Sequence, residues 1–127
     1  MASRFLSRKL IDLFLEPPNA GTADPCHAVG RATNPACNDV AEISLCVHGD
    51  RIVQARFRTQ GCVSAVAGTA AAALLAEGKT VAEARDLTVA EIVAFLDGVP
   101  DAKLACVATG PLALAQALDS LAGRRQP

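Results

Sequence analysis

The chain has 127 residues, 51% of them hydrophobic and only 3% aromatic, with a formal net charge of −1. That length suits one domain, 1–127, with a core made from Ala, Val and Leu. The charge argues against nucleic acid as a partner, and no apolar run reaches membrane-spanning length without Gly, Thr or charge interruptions, so no membrane partner is expected.

In chain order, Phe5, Leu6, Leu10, Leu13 and Phe14 recur at helical spacing, predicting an amphipathic helix from about Arg4 to Leu15. Pro17-Pro18 stops it, and Asp12 and Glu16 break the pattern of a signal peptide. Thr22 to Pro35 reads as a loop, with one short strand around His27 to Ala32. Cys26 and His27 are adjacent there; neighbours in a strand point apart, so they form no ready chelate.

A strand follows from Val40 to His48, with Ile43, Leu45 and Val47 on one face and Glu42, Ser44, Cys46 and His48 on the polar one. The turn His48-Gly49-Asp50-Arg51 returns the chain into a second strand, Ile52 to Thr59, making a hairpin. Val53, Ala55 and Phe57 are expected inside. Arg56 and Arg58 are expected outside, as a solvated edge or a docking surface.

Gly61 permits a sharp turn out of that strand. Val63 to Leu75, with no Pro and no charge, predicts a largely buried helix. Gly78 suits its C-terminal cap. Thr80-Val81-Ala82-Glu83 and Thr88-Val89-Ala90-Glu91 fit capping boxes for two short helices. In the last helix Leu104, Val107, Leu114, Leu118 and Leu121 lie near one stripe, and Pro111 marks either its first turn or a kink. The predicted fold class is α+β: a small antiparallel sheet of two to three strands with helices packed on one face.

Five cysteines, an odd number, disfavour disulfide stapling and suit a reducing, cytoplasmic compartment. Cys37 and Asp39 are spaced to share one face where a strand begins. Cys62 sits at a helix N-terminus, where unpaired N–H groups and the helix dipole favour a thiolate; alone it could equally be a small buried hydrophobe. Cys106 enters the last helix. Gathered by the fold, three thiolates and one carboxylate would complete a tetrahedral zinc set or one edge of an iron–sulfur cluster. No C-x-x-C is present, which argues against a disulfide oxidoreductase.

The segments Pro35-Ala36-Cys37-Asn38-Asp39-Val40, Phe57 to Ala65 around Gly61-Cys62, and Lys103-Leu104-Ala105-Cys106 resemble the three cysteine motifs of the NifU/IscU iron–sulfur scaffold family. Ile11-Asp12 to Gly21 resembles its N-terminal signature, so the likeness is collinear over nearly the whole chain. It implies a scaffold rather than an enzyme, binding a transient 2Fe–2S cluster or zinc through Cys37, Asp39, Cys62 and Cys106. It also implies a cysteine desulfurase as sulfur source and apo iron–sulfur proteins as acceptors. Lys103 matches the family's basic neighbour of the last cysteine; it is either a site neighbour or a solvated loop charge. Val99 to Lys103 only partly resembles the loop read by an Hsp70-type chaperone. Two positions depart from the pattern: Ala105 replaces the usual His, and Asn38 the usual Gly. Asn tolerates left-handed backbone better than most residues. Competing readings are a zinc-dependent sulfur carrier, with Cys106 accepting persulfide, and a structural zinc domain.

Overall fold

The computed structural model describes residues 5–35 and 38–125, with the side chains of 122–125 left out. The elements run α1 (Arg8–Leu15), β1 (Ala28–Asn34), β2 (Asp39–His48), β3 (Arg51–Gln60), α2 (Val63–Ala76), α3 (Val81–Arg85), α4 (Val89–Phe95), a 3-10 turn (Asp101–Lys103) and α5 (Leu104–Arg125). The three strands form an antiparallel sheet in the order β1-β2-β3. Helices α2 and α5 lie against it, and α1 packs on α2. The α+β expectation holds.

The first helix begins later than expected. The Ser7 hydroxyl accepts the Leu10 N–H at 3.0 Å, and this cap starts the helix at Arg8. Phe5 therefore lies before the helix, 76% exposed, while Leu10 is fully buried.

Val53 also departs from expectation. Val47 pairs with Ile52 and Cys46 with Gln54, so Val53 is an extra residue on β3. That bulge reverses the alternation: Ile52, Ala55 and Phe57 face the core and Val53 is half exposed. The outer edge of β3 is covered by neighbouring chain. Phe57 exchanges hydrogen bonds with Asn19 and Gly21, Ile52 with Gly78 and Lys79, and the Ala55 N–H donates to Glu77 Oε1 at 2.9 Å. Arg56 pairs with the same Glu77 oxygen at 3.1 Å, while Arg58 is exposed.

Cys46 is buried rather than solvated. The residues before β1 cross the outer sheet face beside it: the Ala23 N–H donates to Ser44 Oγ at 2.8 Å and the Asp24 N–H to Gln54 Oε1 at 2.9 Å.

Both capping boxes form as expected, at Thr80 with Glu83 and at Thr88 with Glu91. Gly78 follows α2 with φ +89°. Leu104 is 37% exposed and leaves the predicted stripe of α5; Val107, Leu114, Leu118 and Leu121 are buried. Pro111 lies well inside α5, which starts at Leu104, so the first-turn reading does not hold. Its missing N–H leaves the Val107 carbonyl without its usual helical partner.

Small residues explain how so few aromatics suffice. A Cβ on Gly30 would stand 2.2 Å from the Ala113 carbonyl oxygen, and one on Gly68 would stand 2.8 Å from Val107 Cα. One on Gly110 would stand 2.7 Å from Thr69 Cα. Backbone thus meets backbone between β1, α2 and α5, with no room for larger side chains. The stretch Asp101–Leu121 is long and apolar enough to cross a membrane by composition, but half of it is buried inside the fold. Its apolarity has a structural use there, against β1 and α2.

Candidate metal centre

Three ends converge at one end of the sheet. Asp39 is the first residue of β2, Cys62 immediately precedes α2, and Cys106 lies in the first turn of α5. One ligand atom from each lies within 4.8 Å of the others. Asp39 is 1% exposed and Cys106 3%, while Cys62 is half-buried. The group therefore has a closed interior side and a side that solvent can reach.

Backbone positions the carboxylate. Asp39 Oδ1 accepts the Cys62 N–H at 3.2 Å, and Oδ2 lies 3.9 Å from Cys62 Sγ. Cys62 is the N-cap of α2 and makes no side-chain cap bond, so its sulfur is not spent on the helix. The N-terminus of α2 lies beside both groups, and its unpaired N–H groups and dipole favour negative charge there.

Gly61 serves the site in an unexpected way. It does not adopt the left-handed backbone that calls for glycine at Gly49 or Gly78. A Cβ there would instead stand 2.4 Å from Asp39 Oδ1. The missing side chain makes room for the carboxylate. Asn38 has φ +57°, a left-handed conformation that asparagine tolerates better than most residues.

Cys37 lies outside the described residues. Lys103 is exposed in the turn before α5, and Ala105 is exposed beside Cys106. Cys26 and His27 do not belong to the group formed by Asp39, Cys62 and Cys106. Cys26 is exposed, and His27 Nδ1 accepts the Val47 N–H at 2.9 Å, which ties the start of β1 to the end of β2. His48 is exposed. Two residues that sequence reasoning passed over lie close by. Asn34 Nδ2 reaches Cys106 Sγ at 4.0 Å, and the Ser64 hydroxyl is buried two residues beyond Cys62. Only the register of Asn34 across from Asp39 could have drawn attention to the first.

Two thiols and a carboxylate at this spacing can hold a metal ion, with room for further donors. The family model described as the NifU-like N-terminal domain matches residues 6–126. The chain belongs to the NifU-like N-terminal domain family.

Among its relatives is the iron–sulfur cluster assembly scaffold protein IscU 1 of Archaeoglobus fulgidus, 36% identical over 100 residues, which are 79% of this chain and 65% of that protein. The IscU scaffold protein of Aquifex aeolicus is 35% identical over 106 residues, 82% of this chain and 68% of that one. The NifU-like chain thus spans about two thirds of the length of the curated relatives it matches. The crystal structure of a protein from Fervidobacterium islandicum, assigned without proof as an iron–sulfur cluster assembly scaffold for the SUF system, superposes with a TM-score of 0.74. It is 22% identical, covering 88% of this chain and 95% of that one, and so shows a shared fold.

Proposed function

We propose that this NifU-like chain, as a single domain over 1–127, is an iron–sulfur cluster assembly scaffold. It assembles a transient 2Fe–2S cluster on Cys37, Asp39, Cys62 and Cys106 and passes it to apo iron–sulfur proteins. The observation that carries this reading is the convergence of Asp39, Cys62 and Cys106 from three elements to within 4.8 Å. Sulfur ligands suit iron of such clusters. The half-exposed Cys62 gives cargo a way in and out.

Sulfur would come from a cysteine desulfurase. The cluster is cargo, bound and handed on, so the chain acts as a carrier and not as an enzyme. Free thiols at Cys26, Cys46, Cys62 and Cys106 suit a cytoplasmic setting. The same donor set would satisfy zinc, and Ala105 removes imidazole from beside Cys106. That supports a second reading, a zinc-dependent sulfur acceptor with Cys106 carrying persulfide.

Anaerobic incubation with a cysteine desulfurase, cysteine, ferrous iron and a thiol reductant separates the two. The scaffold reading expects a 2Fe–2S absorption spectrum that is lost in Cys62→Ser or Cys106→Ser and that moves to an added apo-ferredoxin. Zinc retained through the incubation, with the desulfurase stimulated and no cluster spectrum, would overturn it in favour of the sulfur acceptor.

A further inference from the structure

Once metal is bound, Asp39, Cys62 and Cys106 present a carboxylate and two thiolates, and a divalent ion cannot neutralise them all. Lys103, the cation nearest in sequence, is exposed and among the described residues takes part in none of the ion pairs. Neutral donors occupy the buried positions instead. Asn34 ends β1, is 9% exposed, and stands directly across from Asp39 in the strand register. Its amide reaches Cys106 Sγ at 4.0 Å. Ser64 is 1% exposed, and its hydroxyl has no hydrogen-bond partner among the described residues. It lies one helical turn before Gly68 and shares its face. Gly68 abuts Val107, the residue after Cys106. Ser64 therefore faces the first turn of α5. A buried hydroxyl without a partner is a cost to the fold, and a ligand that accepts a hydrogen bond from it would recover that cost.

The geometry points to Asn34 and Ser64 as positioning residues: uncharged donors that orient the metal-bound sulfur of this site and offset its charge. The inference rests on the reading of Asp39, Cys62 and Cys106 as ligands. At 4.0 Å the Asn34 contact is long for a thiol; a thiolate is a stronger acceptor and draws the amide closer. The Ser64 O–H can rotate toward a thiolate or a cluster sulfide at the α2–α5 junction. Hydrogen bonds to sulfur tune clusters and thiolate sites, and their loss typically weakens metal binding.

The test uses the full chain with zinc, measured by competition against a chelator, and with cobalt(II), whose thiolate charge-transfer band reports on sulfur. Asn34→Leu is expected to weaken zinc about 10- to 100-fold. It should also move the thiolate–cobalt band to lower energy, because a thiolate without its donor holds its electrons less tightly. Ser64→Ala should weaken zinc in the same direction while leaving the melting temperature of the metal-free chain unchanged or raised, since no hydrogen bond is lost there. A purely structural role would lower the melting temperature and leave the band in place. Should Asn34→Leu fail to fold, the isosteric Asn34→Asp replaces the donor by an acceptor and is expected to weaken zinc further. Variants that bind zinc as wild type does, with an unshifted band, overturn this inference alone. A wild-type chain without a thiolate–cobalt band, or a Cys106→Ser variant with an unaltered one, overturns the ligand reading and this inference with it.

Discussion

Gly61 and Asp39 share a space that only one of them can fill. A Cβ on Gly61 would stand 2.4 Å from Asp39 Oδ1 and 2.9 Å from its Cγ. The same Oδ1 accepts the Cys62 N–H at 3.2 Å. The order glycine, then cysteine, at the end of β3 thus provides both the room for Asp39 and the donor that orients it.

Gly61→Ala should push the carboxylate off that N–H. Overpacking of this kind costs about 1–3 kcal/mol, and zinc affinity should fall with it. Chemical denaturation and chelator competition on the variant would show both effects; wild-type values in both would count against the arrangement.

Asp39→Ala tests a division of labour within the site. Thiolates hold iron firmly, and a hard carboxylate oxygen suits it less well. On the proposed scaffold reading, Asp39 would be the ligand that lets cargo go. The variant should keep its cluster longer and transfer it roughly tenfold more slowly, about 1.4 kcal/mol of added barrier. Transfer rates to an apo-ferredoxin equal to wild type would remove that role.

Gly68→Ala addresses how Cys62 and Cys106 are held together. The new methyl would meet Val107 Cα and the Val107 carbonyl oxygen, each at 2.8 Å. We expect a loss of about 1–3 kcal/mol and weaker zinc binding, because the two helices that carry the cysteines must part. Gly110→Ala, which meets Thr69 across the same contact, should not add fully to it, since neighbouring sites couple. Thermal melts of the single and double variants check this.

Far from the site, the Thr80 N–H bonds Glu83 Oε1 at 2.9 Å. That backbone bond, with the Thr80 hydroxyl, holds the Glu83 carboxyl below its ordinary value of 4.5. A lowered carboxyl favours the fold above the ordinary value, and that contribution fades as pH falls through the folded one. The Thr80 amide resonance should therefore titrate in acid, below the range of a free glutamate. Glu83→Gln should abolish that titration while keeping the cap.

Local structure was readable where it is decided locally. Thr80 and Thr88 announce their helices because a cap needs only a hydroxyl and a glutamate a few residues apart. The alternation of Ile43 and Leu45 located the core face of β2 for the same reason. Val53, Cys46 and Pro111 were misplaced because each depends on something distant: a bulge set by the facing strand, a crossing segment that covers the outer face, and a helix start chosen by the preceding turn. Phe5 was misplaced because Ser7 caps the helix after it.

The sequence by itself determined the α+β class and the two capped helices, since these follow from short-range periodicity and side-chain chemistry, and it named Asp39, Cys62 and Cys106 as candidate donors. Only the tertiary structure decided that Asp39, Cys62 and Cys106 meet, that Gly61 yields space to a carboxylate, and that Asn34 rather than Lys103 stands against Cys106. Those outcomes arise where backbones touch across Gly30, Gly68 and Gly110, in contacts between residues far apart in the chain. Spacing along a sequence carries no record of such contacts, because they are set by how closely layers approach.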